Sequence, residues 1–218
     1  MRRIANKVLR PLGYELKKRR DSSFDRVAVG QSFVQYFNMT EGAISLKEGS
    51  LLYDLAKGVQ GACILEVGSY RGRSAVALGR GSLDGHRAPV FAIDPHEEFT
   101  GVMGGRYGPP DRGAFYKAMI DTSCYHVVRL INLSSELVAP NWKEKIGLLW
   151  IDGDHSYAGV KRDFEAWQPH LTPTAWVAFD DSTNPEIGPY RLIRELLATG
   201  RFEQTHAEGK VTVLRAKP

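Results

Sequence analysis

The chain has 218 residues, enough to bury one full core, and its 43% apolar and 25% charged residues are the proportions of an ordinary globular protein. Its formal charge of +4 divides unevenly, since residues 1–20 hold eight Lys or Arg and one Glu, while the remainder holds 21 basic and 24 acidic residues. A mildly acidic main body argues against nucleic acid as a partner, and no apolar run approaches the roughly 20 residues a membrane-spanning helix needs.

The opening stretch MRRIANKVLRPLGYELKKRR has no continuous apolar segment or small-residue cleavage site, which makes it a poor secretory signal. Ile4, Val8, Leu9 and Leu12 fall roughly on one helical face, a pattern that would allow contact with an anionic membrane surface. Pro11 and Gly13 cut that helix short, so a solvated or self-docking arm is the favoured expectation. Cys63 and Cys124 match no metal-ligand spacing and allow at most one bridge, which fits a reduced, cytoplasmic protein. The expected organisation is a basic arm and helical extension over 1–40 and one main domain over 41–218.

From residue 24 to 60 the pattern is helical, through SFVQYFNM and then SLKEGSLLYDLAKGV to Gly58. Beyond it, short β-rich runs alternate with helical stretches. Strands are predicted over 62–67, 89–93, 126–131, 146–151 and 175–179. Helices are predicted in RSAVALGRG, in RGAFYKAMIDT, over 156–167 and over 188–198. Two further β-like runs flank Glu208-Gly209 and predict a closing hairpin. This alternation implies an α/β fold, a doubly wound, Rossmann-like sheet of seven strands with helices on both faces. The sheet is mostly parallel, with one antiparallel strand from the C-terminal hairpin. Ligands on such sheets bind beyond the carboxyl ends of the strands, so those ends are where chemistry is sought.

The first strand runs into LEVGSYRGRS, where Gly68 and Gly72 permit a tight turn and the next helix offers free amides. Tyr70 and Arg73 stand where a dinucleotide fingerprint needs its second and third glycines, and no phosphate-loop signature is present. The second strand ends at Asp94, 22 residues past Gly72, a spacing that suits hydrogen bonding to ribose hydroxyls. After the third strand, Ser134 and Ser135 are candidates for an adenine edge, although helix capping is the commoner use of such serines.

The densest signal is LLWIDGDHSYAGVKRDF, 148–164, in which Asp152, Asp154 and His155 arrive as a buried strand ends. Asp180 and Asp181 end the fifth strand in VAFDD. Neighbouring strands lie about 4.8 Å apart, so carboxylates at their tips can converge. Asp152, Asp180 and Asp181 in one small region would repel strongly unless a cation sat among them. All-oxygen ligation suits a hard ion, Mg²⁺ first, with Mn²⁺ or Ca²⁺ as alternatives. Asp154 is left as a helix cap, an orienting partner for His155 or a further ligand.

ILEVGSYRGRS, FAIDP, LLWIDGDHSYAGVKRDF and WVAFDDS together resemble the class I S-adenosylmethionine-dependent methyltransferases. More narrowly they resemble the metal-dependent O-methyltransferases that act on sugar hydroxyls of macrolides and saccharides. The resemblance implies that Glu66 lies beside the methionine part of the cofactor and that Gly68 and Gly72 lie against it. It puts Ser69, Tyr70 and Ser74 in the same binding loop, Asp94 on the ribose, and Asp152 at the cofactor's edge as well as on the metal. His155 occupies the position of a general base in D-x-x-[base]. The implied reaction is Mg²⁺-dependent methylation of a sugar or oligosaccharide hydroxyl, and a homo-oligomer is compatible with it. Two departures stand out: Thr174 and Ala175 replace the glycines of the usual Pro-Gly-Gly, and Asp180-Asp181 stands where relatives often carry Glu-Asp or Asp-Asn.

Three rival readings remain. A nicotinamide-dependent oxidoreductase would use a similar sheet, but the missing G-x-G-x-x-G weighs against it. A non-catalytic saccharide-binding module would keep the fold without the chemistry. A catechol-type phenolic O-methyltransferase more often has Lys at the base position, so His155 and Asp181 favour an aliphatic hydroxyl. The Gly-rich segment 97–115 is long for a strand-to-helix loop and is a candidate lid, with Arg106 and Tyr107 as acceptor contacts.

Overall fold

Five apolar runs become the parallel strands of one sheet in the computed structural model, which describes residues 32–218. The basic arm and its amphipathic residues lie outside the described residues. The strands are β1 (Cys63–Val67), β2 (Val90–Ile93), β5 (Val128–Ile131), β6 (Ile146–Ile151) and β7 (Leu171–Phe179). The terminal hairpin forms β8 (Phe202–Glu208) and β9 (Val211–Ala216). Strand order is β5-β2-β1-β6-β7-β9-β8, with β9 antiparallel to both its neighbours and the other ladders parallel. The chain reverses direction across the sheet between β1 and β6, which is where an open α/β sheet leaves a ligand crevice.

Both faces are covered, because every residue of β1 is buried and its neighbours are nearly so. Ile64, Leu148 and Trp150 face one layer, formed with α1 (Phe33–Asn38), α2 (Leu46–Lys57), α3 (Arg73–Asp84) and α4 (Pro109–Asp121). Leu65, Leu149, Ile151 and Phe179 face the other, formed mainly by α6 (Tyr157–Trp167) and α7 (Gly188–Ala198), with the short α5 (Ser135–Val138) beside it. Tyr36 and Phe37, upstream of residue 41, are fully buried in the first layer. Cys63 and Cys124 are buried and unbridged, and among the described residues no helix is long and apolar enough to cross a membrane.

The strand predicted over 126–131 begins at Val128, after a 3-10 turn at Cys124–His126, and larger differences fall in three places. Helix α3 continues past Gly81, its predicted end, to Asp84, since packing against α2 outweighs the weak helix propensity of glycine. Strand β7 begins at Leu171, four residues early. The residue before Pro173 favours extended backbone, and an irregular register next to Ile146 absorbs the extra length. Segment 97–115 is not an unstructured loop: β3 (Phe99–Thr100) and β4 (Arg106–Tyr107) pair antiparallel, and α4 starts at Pro109, where a fixed φ suits a first turn.

Helix α2 opens with a reciprocal cap, in which Ser45 N donates to Glu48 Oε2 at 2.6 Å and Glu48 N donates to Ser45 Oγ at 3.4 Å. The second oxygen of Glu48 accepts the backbone N–H of Lys210 at 2.9 Å, tying this helix to the β8–β9 turn. Burial opposes ionisation of the Glu48 carboxyl, but these hydrogen bonds outweigh it and hold the group below its ordinary range. A depressed folded-state pKa contributes stability that is complete above the unfolded value and is lost as pH falls through the folded one. Glu48→Gln should therefore lower Tm at neutral pH. The gap to wild type should shrink between about pH 5 and 3, read by thermal melts across that range.

Candidate active site

Register sets the site. Val67 stands opposite both Ile93 and Ile151, and Ile151 stands opposite Phe179. The next residue of each strand is then held by its neighbour: Gly68 N bonds Ile93 O at 3.0 Å, and Asp94 N bonds Ile131 O at 3.2 Å. Asp152 N bonds Val67 O at 2.8 Å, and Asp180 N bonds Ile151 O at 3.0 Å. Four strand ends thus present Gly68, Asp94, Asp152 and Asp180 in one row.

A cleft of ≈330 Å³ opens at this edge, lined in part by Gly68, Ser69, Tyr70, Ser74, Asp94, Ser134, Ser135, Asp152 and His155. Glu66, Gly72, Asp180 and Asp181 are not among its lining residues. Gly68 has φ +81, and a Cβ there would meet the Asp152 carbonyl oxygen at 2.3 Å, so the two loops approach as closely as backbone allows. Gly72 caps α3 with φ 92. Glu66 is fully buried, and neither carboxylate oxygen has a partner at full hydrogen-bond geometry, the Ser74 hydroxyl being the group that faces it. Burial pushes its carboxyl well above the usual range; the Ser74 hydroxyl opposes this, and Asp152 and Asp94 add to it.

Asp94 does more than face the cleft. Its Oδ2 accepts from Ser69 N at 2.8 Å and Tyr70 N at 2.9 Å, and its Oδ1 accepts from His96 N at 2.8 Å. The carboxylate clamps the glycine turn that follows β1. His96, which the sequence reading passed over, is buried with its Nε2 2.8 Å from the Tyr70 carbonyl, and Asn132 Nδ2 donates to the carbonyls of Asp94 and Pro95 at 2.7 Å each. These two brace the turn from behind. Ser135 begins α5, and its hydroxyl accepts from Trp167 Nε1 at 3.0 Å and pairs with buried Asp163. Its side chain is therefore tied to the packing of α6, and Ser134 is the N-cap residue of α5.

The structure brings Asp152, Asp180 and His155 together, while Asp181, the third predicted ligand, lies beside them next to His155 and Lys210 and outside the group whose ligand atoms all approach within 4.8 Å. His155 Nε2 lies 3.5 Å from Asp152 Oδ1 and 3.5 Å from Asp181 Oδ2, both too long for a well-formed hydrogen bond, and it has no hydrogen-bond partner. Burial disfavours the imidazolium, but the two carboxylates outweigh burial and raise the pKa. Asp154 stands apart: it accepts from Ser156 N and Ser156 Oγ at 2.9 Å each, while Ser156 caps α6 by accepting from Gly159 N at 3.0 Å. Asp154 thus fixes the turn that delivers His155.

Lys210 is the principal residue that sequence reasoning missed. Its Nζ lies 2.7 Å from Asp180 Oδ2 and 3.3 Å from Asp181. Asp180 is buried, and its Oδ1 has no partner. Burial first, then the charge of Asp152, pushes the Asp180 carboxyl upward, while the Lys210 ammonium 2.7 Å away favours the ionised form. So placed, the cluster has fewer positive charges than carboxylates. Asp152, His155 and Asp180 each offer a ligand atom within 4.8 Å of the others, so their geometry and donor types fit a divalent ion. At the cleft mouth, Tyr107 meets Tyr70 edge-on at 5.3 Å and stacks with Phe99 at 6.1 Å, so an aromatic surface borders the acids.

A sequence profile described as a methyltransferase domain matches residues 65–182, from inside β1 to just past Asp181. The chain shares its fold with an O-methyltransferase from Bacillus cereus in complex with SAH, at TM-score 0.62 and 18% identity over 98% of this chain and 97% of that one. It also matches TomG, an O-methyltransferase from Streptomyces achromogenes involved in tomaymycin synthesis, in complex with SAM, at TM-score 0.59 and 19% identity over 100% and 99%. The apo structure of CalS11, a TDP-rhamnose 3'-O-methyltransferase of calicheamicin biosynthesis, matches at TM-score 0.56 and 20% identity over 77% of each chain. At these identities the likeness is one of fold, whereas the profile covers more than half of the sequence. With its seven-stranded sheet and its strand-end row within or bordering that match, the chain belongs to the methyltransferase domain family.

Proposed function

We propose that this chain transfers the sulfonium methyl group of S-adenosylmethionine to a hydroxyl of a sugar or saccharide-containing acceptor, with a divalent ion, Mg²⁺ first, at the acid cluster. The observation that carries the reading is the unpartnered His155 Nε2, set between Asp152 and Asp181 at the edge of a cleft that also holds the clamped glycine turn. On the donor side, Gly68, Ser69 and Tyr70 form the wall against the methionine part. Asp94 receives the ribose while holding the turn, and Ser134 and Ser135 border the adenine. Glu66 contributes from beneath, through the buried charge balance at Asp94 and Asp152 rather than by contact with the cleft.

Asp152 and Asp180, with Asp181 beside them, are the proposed ligands of the ion. When bound, that ion supplies Lewis-acid polarisation of the acceptor hydroxyl. His155 takes the hydroxyl proton, a contribution typically worth about 10²- to 10⁴-fold. The acceptor oxygen forms its bond to the methyl carbon as the carbon–sulfur bond breaks. The products are a methyl ether, S-adenosylhomocysteine and one proton. The carboxylates that raise the His155 pKa are those an ion would neutralise, so ion binding and a neutral, proton-accepting imidazole support each other.

The saccharide acceptor is supported by the sequence motif around His155, by the fold shared with CalS11, and by Tyr70, Phe99 and Tyr107 at the mouth. Aromatic faces receive the apolar side of a sugar ring, and they receive a flat phenolic acceptor equally well. A second reading of His155 as a third ion ligand is favoured by its ligand atom lying within 4.8 Å of those of Asp152 and Asp180.

An acceptor screen with labelled S-adenosylmethionine, read by mass spectrometry, should give methylated saccharides; methylation of catechols alone would replace the sugar assignment with a phenolic one. Activity should vanish on exhaustive chelation and return with Mg²⁺ or Mn²⁺, and undiminished turnover in chelator would remove the ion from the scheme. Asp152→Ala should abolish both Mn²⁺ binding and turnover. His155→Ala should lower kcat at least ~10²-fold while calorimetry still registers S-adenosylhomocysteine. Mn²⁺ affinity retained in that variant supports the base, whereas Mn²⁺ affinity lost with it makes His155 a ligand.

A further inference from the structure

Lys210 reaches the acid cluster from a part of the chain that supplies none of the donor residues. β9 is antiparallel, so it begins at the edge where the parallel strands end, and Thr212 pairs with Phe179. Lys210, two residues earlier, arrives beside Asp180 and Asp181. Its backbone is held on both sides. The N–H donates to Glu48 Oε1 at 2.9 Å, and the carbonyl accepts from Ser182 N at 2.9 Å and Ser182 Oγ at 2.8 Å. Gly209 before it has φ +57, a conformation that favours glycine, and the turn packs directly against the Glu48 carboxylate, which a Cβ there would meet at 2.3 Å. An ordinary surface lysine swings freely into solvent. This one is anchored at its main chain and directed into the acids.

We propose that Lys210 is a built-in competitor of the divalent ion, whose positive charge at the cluster weakens ion binding. The inference rests on reading the cluster as an ion site. Asp180 is divided between the two cations: Oδ2 carries Lys210, and Oδ1 is left without a partner. With Lys210 in place, its ammonium offsets negative charge that Asp180 would otherwise offer an entering ion, and affinity for hard cations follows ligand charge.

Titration of the full chain with MnCl₂, followed by calorimetry and by the Mn²⁺-induced shift in Tm, tests this without measuring activity. Lys210→Gln should bind Mn²⁺ at least ~10-fold more tightly than wild type and show the larger Tm shift, while Lys210→Arg should stay close to wild type. Equal or weaker binding by Lys210→Gln would mean that Lys210 arranges Asp180 for the ion, and the competition would be refuted with the ion site intact. Absence of Mn²⁺ binding in all three proteins would overturn both the ion site and the competition. If Lys210→Gln is unfolded without metal, Lys210→Met, which keeps the aliphatic stem, repeats the comparison. Failure of both variants to fold even in Mn²⁺ would make Lys210 a structural residue and end the proposal.

Discussion

A parallel ladder in which Val67, Ile151 and Phe179 stand opposite one another sends the next residue of each strand out at the same height. The backbone has no freedom left at that point, because Asp152 N and Asp180 N are already bonded to the neighbouring strands. Two carboxylates are thereby brought into one small region by the main-chain ladder. A one-residue slip of β7 would turn Asp180 to the opposite face and bury it in the second apolar layer. The register is secured by that layer, since Leu149, Ile151, Val177 and Phe179 all pack into it.

Crowding these acids is costly, and the fold offsets the cost in two ways. His155 is brought within 3.5 Å of Asp152 and Asp181 by the turn that Asp154 and Ser156 stabilise. Lys210 comes from the opposite strand direction, held through Glu48 and Ser182. Neither group satisfies Asp180 Oδ1, a buried acceptor without a donor. Native structures rarely leave such atoms unpaired without a reason, and a cation is the partner this one suits. Reactivity at this edge and stability of the sheet are therefore linked through the same few charges.

The donor side follows a different logic, in which one carboxylate organises backbone. Asp94 collects three N–H groups, two of them from the turn after β1, and His96 and Asn132 hold the loop behind it. The turn is rigid before any ligand arrives, which lowers the entropy lost on binding. The β3–β4 ribbon adds aromatic surface beside this rigid wall, so the cleft joins a polar, fixed donor side to a broader aromatic mouth.

Much of this was legible in the residues. The alternation of apolar runs and amphipathic stretches specified the α/β class, the seven strands and the antiparallel hairpin, because periodicity and capping are local signals. Strand ends marked by Gly68, Asp94, Asp152 and Asp180 identified where to look, since a buried strand that stops at a charged or glycine residue stops at the sheet's edge. Harder to read were extents that tertiary packing decides, such as α3 continuing beyond Gly81 and β7 taking in Leu171 to Thr174. Lys210 was invisible for a deeper reason. Its only local trace is a Gly-Lys step before the last strand, and its meaning depends on β9 lying against β7 in one register, 30 residues from Asp180 along the chain. The sequence by itself determined which side chains stand at strand ends. Only the tertiary structure decided which of them share a charge, because that depends on distances between segments that no local pattern encodes.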